Sequence, residues 1–193
     1  DRSVGLWRPA ELFFLQNETT GCFTVDGVVV QTTITSETDI SEAALTVSFV
    51  LHHWCQGEEV ANVMIYAASH AFGRVVQAVN MTSTETERRI TFTAESNDAL
   101  LLNNPSYWWP WQMGGQAMHT LRVGVDGGQQ LAQVDFGIRQ VEKKLEAPYD
   151  QVQFYINKKP LQGRGGGWTP DVFLRNNESK LAMQLQMVRD MNL

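Results

Sequence analysis

Two clusters in the sequence carry residue types suited to holding a ligand. Tyr107-Trp-Trp-Pro-Trp111 sets Trp108, Trp109 and Trp111 in one short stretch. Indole faces form a platform for the apolar faces of sugar rings, and they also bury enough area to pack a loop onto its surroundings. Trp108, Trp109 and Trp111 are therefore read either as packing residues or as the sugar platform of a carbohydrate-binding module. The second cluster, Gly163-Arg-Gly-Gly-Gly167 leading into Trp168-Thr-Pro170, lacks the Gly-Lys-Ser/Thr ending of a phosphate-binding loop. Its glycines instead suit a turn, or a backbone that comes close to a ligand.

Other reactive residues are sparse. Glycoside hydrolysis needs two carboxylates roughly 5–9.5 Å apart, and spacing alone assigns no such pair. Cys22 and Cys55 form no Cys-x-x-Cys motif and have no clustered histidines to complete a metal site, so no metal or cofactor is expected. Both are expected to be free thiols, although a bridge is the single pairing they allow. His52, His53, His70 and His119 are expected on the surface or as satisfied core residues. Asn17-Glu-Thr19, Asn80-Met-Thr82 and Asn177-Glu-Ser179 are sequons, meaningful only in a secretory host.

The elements that position these residues belong to an ordinary globular chain. It has 193 residues, 43% hydrophobic and 19% charged, which fits about one domain with pieces of neighbours. No run of about 18 apolar residues suggests a membrane-spanning helix. Fifteen Lys and Arg against 21 Asp and Glu give a net charge of -6, which argues against a basic face for nucleic acid. The chain opens on Asp1, and Met187–Leu193 closes inside a helical pattern, so both ends are expected to be internal to a longer polypeptide.

From Gly27 to about Arg139 short β-branched and aromatic runs alternate with turn residues. Strands are expected at Val28–Ile34, Leu45–Leu51, Val60–Ala67, Val75–Val79, Arg88–Ala94, His119–Val125 and Gln129–Phe136. Leu45, Val47, Phe49 and Leu51 share one face, as do Ile90 and Phe92. Asp126-Gly-Gly128 is a hairpin signal, because glycine admits positive φ. Seven runs match the strand count of an immunoglobulin-like β-sandwich, without the Cys, Trp, Cys arrangement of true immunoglobulin domains. After Arg139 a hairpin is expected, with strands Gln151–Ile156 and Leu161–Arg164 around the turn Asn157-Lys-Lys-Pro160. An amphipathic helix then carries Leu181, Leu185 and Val188, capped by Asn176 or Asn177 with Glu178 in its first turn. That helix needs a surface to lie on, which the hairpin and loop beside it hardly supply.

Asp1-Arg-Ser-Val-Gly-Leu-Trp-Arg8, Trp108-Trp-Pro-Trp-Gln-Met-Gly-Gly115, Phe136-Gly-Ile-Arg139 and Phe154-Tyr-Ile-Asn-Lys-Lys-Pro160 run in order into Arg164-Gly-Gly-Gly-Trp-Thr-Pro-Asp-Val-Phe-Leu-Arg175. Together they closely resemble glycoside hydrolase family 2, along the whole chain. The Gly-Gly-Gly-Trp-Thr-Pro-Asp form is most similar to the exo-β-D-glucosaminidase and β-mannosidase-like branch. The histidine that β-galactosidases and β-glucuronidases usually carry near this arginine and glycine is absent.

The resemblance implies a jelly roll, an immunoglobulin-like sandwich and a (β/α)8 barrel in that order. Residues 1–20 would be the exit from the jelly roll, 21–140 the sandwich, and 141–193 the beginning of a truncated barrel. It also implies a parent that hydrolyses β-glycosides with retention, using one glutamate in an Asn-Glu pair after the fourth barrel strand and a second after the seventh. Neither stretch is present, so no catalytic residue is assigned. Asn17-Glu18 and Asn177-Glu178 imitate the dipeptide in the wrong places. Trp168, Asp171 and Arg175 follow the first barrel strand and are the candidates for the substrate rim in the parent, with an ion pair to Asp171 the alternative role for Arg175. The implied partners are the remaining domains of the same polypeptide and a β-linked oligosaccharide. The compartment stays open, with secreted or periplasmic locations compatible.

Overall fold

The structure, a computed structural model, describes residues 22–54, 61–82, 84–128, 130–148, 151–169 and 177–193. These fall into two units. The first runs to Val141 and takes in Ile156–Lys158; the second comprises Glu142–Tyr155 and Lys159–Leu193.

The first unit is an antiparallel β-sandwich of β1 (Phe23–Ile34), β2 (Glu42–His53), β3 (Ala61–Ser69), β4 (Gly73–Met81), β5 (Glu87–Thr93), β6 (Leu101–Asn103), β7 (His119–Val125) and β8 (Gln130–Phe136). One sheet has the order β1-β2-β5, with β6 also paired to β2; the other has the order β4-β3-β7-β8. This division of strands is of the immunoglobulin type.

Strict alternation builds the core. Ala43, Leu45, Val47, Phe49 and Leu51 of β2 are all fully buried, because successive side chains of a strand point to opposite faces. Ile90 and Phe92 of β5 join them, with the Phe49 and Phe92 rings 6.2 Å apart. From the other sheet come Ile65, Ala67, Leu121 and Val123. Each large side chain buried here contributes roughly 1.5–3 kcal/mol.

Three departures from the sequence expectation have local causes. β1 begins at Phe23 rather than Val28, because a bulge between Asp26 and Val29, with Gly27 at φ +59°, absorbs one extra residue and keeps the ladder to β2 intact. After β5 the chain leaves β2 at Thr93, opposite Thr46, and returns at Leu101, opposite Ala44. The excursion ends in a 3-10 turn, Asp98–Leu100, which sinks Leu100 into the core. The third departure concerns Cys22, which is disulfide-bonded rather than free. Register explains it: Phe23 lies opposite His53, and the Trp54 N–H donates to the Cys22 carbonyl at 2.9 Å, so the ladder holds residue 22 beside the segment leaving β2. Cys55 lies outside the described residues.

The hairpin at Asp126-Gly-Gly128 forms as expected, with Gly127 at φ +74° and the Gly128 N–H donating to Val125 at 3.0 Å.

The second unit holds most of a three-stranded sheet, β11-β10-β9, made from β9 (Val141–Glu146), β10 (Gln151–Ile156) and β11 (Lys159–Leu161). The turn between β10 and β11 is shorter than expected. Asn157 and Lys158 take φ +47° and +64°, the mirror-type two-residue turn whose twist matches its strands. The ladder therefore resumes at Lys159, and Pro160 sits on an edge strand, where its missing N–H is tolerated.

The helix α1 (Glu178–Asp190) starts where its cap predicts: the Asn177 side chain accepts from the Lys180 N–H at 2.7 Å. No residue of α1 is buried, and Met183, Leu185 and Met187 are exposed. Among the described residues no helix is long and apolar enough to cross a membrane.

Candidate functional site

The aromatic stretch folds back on itself at one end of the sandwich. Tyr107 forms a parallel bridge with Ile138, and the Trp108 N–H donates to the Ile138 carbonyl at 2.9 Å. The Trp109 N–H donates to Gly115 at 3.0 Å, and the Met113 N–H to Pro110 at 2.8 Å, closing a tight loop.

The indoles are held by different neighbours. Trp108 lies against Gly137, where an added Cβ would come within 2.7 Å of the Trp108 Cβ, so only glycine fits there. The Arg139 guanidinium stands 4.7 Å from the centroid of the Trp108 ring, a cation–π contact. Trp109 is half-buried against the sandwich core and faces Gly114, where an added Cβ would stand 3.1 Å from the ring. Trp111 is 37% exposed.

A polar belt fixes this loop. Asn157 is completely buried, and its side chain satisfies two backbone groups at once. Its Oδ1 accepts from the Gln140 N–H at 2.9 Å, and its Nδ2 donates to the Trp108 carbonyl at 3.1 Å. Its own N–H donates to the Gln140 carbonyl at 2.9 Å. The Gln140 side chain then accepts from the Ile34 N–H, and the Lys158 ammonium donates to the Ser36 carbonyl. Backbone groups withdrawn from water need partners, and one asparagine on a positive-φ turn supplies them here.

Beside Lys158, hydrogen bonds from Ser36 and Ser41 hold the Asp39 carboxyl down at about 2. Burial and the nearby Asp39 charge push the Tyr107 phenol up. The Tyr107 hydroxyl is buried with no hydrogen-bond partner among the described residues.

A groove of about 700 Å³ is lined by residues of β1 and β8, the end strands of their sheets, and of the segments beside them, among others Val30, Thr32, Met118, Asp135 and Arg139. Its charged groups are already engaged: Asp135 accepts from the Thr120 hydroxyl at 2.8 Å, and Arg139 covers Trp108. Among the described residues no group of three His, Cys, Asp or Glu is placed to hold a metal ion. His53 is buried and stacked on Phe23.

Of the other residues singled out by sequence, Trp168 is half-exposed in the stretch 162–169, which has neither strand nor helix. Asp171 and Arg175 lie outside the described residues, as do Asn17 and Glu18. Asn177 and Glu178 open α1 as cap and first-turn acid. Sequence reasoning missed the Asn157–Gln140 pairing and the hydrogen bonds from Ser36 and Ser41 to Asp39. An Asn-Lys pair between two strand runs signals a mirror-type turn, but nothing local points to its partners, the closest of which is 17 residues away.

No protein-family model matches the chain. Over 95 residues, 48% of its length, the chain is 40% identical to an exo-β-D-glucosaminidase of Amycolatopsis orientalis, covering 9% of that protein. Along its full length it is 26% identical to an exo-β-D-glucosaminidase of Arthroderma benhamiae, covering 21% of it. The crystal structure of the Amycolatopsis orientalis exo-chitosanase CsxA matches 90% of this chain and 19% of its own at 30% identity, with a TM-score of 0.72. The chain is related to glycoside hydrolase family 2. A family 2 member from Bacteroides cellulosilyticus shares the fold over 74% of the chain, at 15% identity and a TM-score of 0.55. The chain thus spans between about a tenth and a fifth of the length of these glucosaminidase relatives.

Proposed function

We propose that this chain is a non-catalytic part of a family 2 glycosidase that removes β-linked glucosamine units from the end of a polymer. The observation that carries the reading is the 30% identity over 90% of the chain, at a TM-score of 0.72, to an exo-chitosanase. In this reading residues 21–140 are a spacer sandwich between a jelly roll and a barrel, and 141–193 begin the barrel. The two glutamates that break the glycosidic bond lie in the remainder of the polypeptide, and Trp168, Asp171 and Arg175 sit at the rim of the substrate site.

Trp108 and Trp109 act in this role as packing residues. Gly137 and Arg139 occupy the surroundings of the Trp108 indole, and Gly114 and the sandwich core those of Trp109, which leaves little ring face for a sugar.

The test is to recover the complete coding sequence around this chain, express its product and assay p-nitrophenyl β-D-glucosaminide, β-D-mannoside and β-D-galactoside. The glucosaminide is expected to be hydrolysed fastest. A product that hydrolyses the mannoside fastest would reassign the substrate, and one that hydrolyses none would overturn the reading.

A further inference from the structure

The sequon Asn80-Met81-Thr82 sits at the end of β4, the outer strand of the sheet β4-β3-β7-β8. Asn80 points outward between the buried Val79 and Met81, and Thr82 is exposed just past the strand. The acceptor carboxamide and the hydroxyl that a glycosyl transfer needs are therefore both on the surface of the fold.

Two further observations bear on this position. Cys22 is disulfide-bonded, and disulfides persist in oxidising environments, among them the secretory route along which chains receive N-linked sugars. The outward row of β4 is also poorly defended. Val76 is 43% exposed, and Met64, on β3 opposite Ala78, is 41% exposed. The described charge on that row is Arg74, which is drawn to Asp126 and the Tyr66 ring. Unpaired edges with apolar side chains invite association with other strands, and proteins blunt them with charge, proline or cover.

We propose that Asn80 is an N-glycosylation site whose oligosaccharide covers the exposed Val76–Met64 strip beside this edge. In the transfer, Asn80 Nδ2 forms a bond to the anomeric carbon of a lipid-linked pyrophosphoryl oligosaccharide. The bond from that carbon to the phosphate oxygen breaks, the lipid pyrophosphate leaves, and the carboxamide gives up one proton.

The chain, fused behind a cleavable signal peptide and carrying Asn17→Gln and Asn177→Gln, is translated with microsomes beside a reporter glycoprotein. Transfer there precedes folding, so the readout does not depend on stability. One endoglycosidase-sensitive mobility shift is expected, lost in Thr82→Ala and kept in Thr82→Ser. In chain secreted from yeast, the tryptic peptide Val75–Arg88 is expected with aspartate at position 80 only after enzymatic deglycosylation. An unshifted chain beside a shifted reporter, or a secreted peptide with unmodified Asn80, would overturn the proposal. If Asn80→Gln leaves light scattering of the secreted chain unchanged, the covering role is overturned.

Discussion

The Asn157 carboxamide donates to the Trp108 carbonyl across 49 residues of sequence, at 3.1 Å and fully buried. With its second bond, to Gln140, it ties the aromatic loop and the segment after β8 to one turn. Replacing Asn157 by Ala removes the hydrogen bonds to two half-buried backbone groups, the Gln140 N–H and the Trp108 carbonyl, each loss costing about 1–3 kcal/mol. Asn157→Gly keeps the positive φ without strain and isolates the loss of the carboxamide. Urea denaturation followed by tryptophan fluorescence is expected to show both variants destabilised by roughly 2–4 kcal/mol, with Ala the worse. A wild-type midpoint in Asn157→Gly would show that the carboxamide contributes nothing.

Gly137→Ala forces a methyl into the space of the Trp108 Cβ and Cγ, at 2.7 and 2.8 Å. Overpacking of this kind costs about 1–3 kcal/mol, and moving the indole also breaks its stack with Arg139. Near-UV circular dichroism should change along with the melting temperature. Gly115→Ala, where nothing lies within 4 Å of an added Cβ, should leave both untouched and serves as the matched control.

Legibility in the sequence followed periodicity. β2 and β5 read correctly because one face of each is buried, so Leu45, Val47, Phe49 and Leu51, and Ile90 and Phe92, recur at every second position with Thr46, Ser48 and Thr91 among the residues between them. β9 was missed for the opposite reason: none of its residues is buried, and without a buried face selection leaves no period-two pattern. β6 is three residues long and carries one inward side chain, Leu102. At the site, the tryptophan loop stood out by composition. Asn157 did not, because its role depends on long-range geometry that one turn cannot announce. The disulfide at Cys22 likewise depends on strand register.

Asp39 contributes a pH dependence of defined sign. Its folded value, about 2, lies below the ordinary aspartate value near ~4, so the ionised form is favoured in the folded state. The resulting stability is fully present above the ordinary value and is lost as pH falls toward about 2. Melting temperatures measured between those limits should fall more steeply for the wild type than for Asp39→Asn. Equal slopes would remove Asp39 from the account.

Reducing or removing the Cys22 bridge should destabilise the sandwich. Loss of a native disulfide typically costs about 2–4 kcal/mol, so Cys22→Ser and the reduced wild type should unfold at similarly lowered urea concentrations. Thiol titration of the unreduced, denatured wild type should find no free thiol. One or more titrating thiols would contradict the bridge.

The most direct test of the central claim is a graft. This chain replaces the corresponding segment of the Amycolatopsis orientalis exo-chitosanase, and release of p-nitrophenol from p-nitrophenyl β-D-glucosaminide is measured for the graft and for the chain alone. A non-catalytic family 2 segment predicts hydrolysis by the graft and none by the chain. A folded graft with no activity, or a chain that turns over substrate by itself, would contradict it.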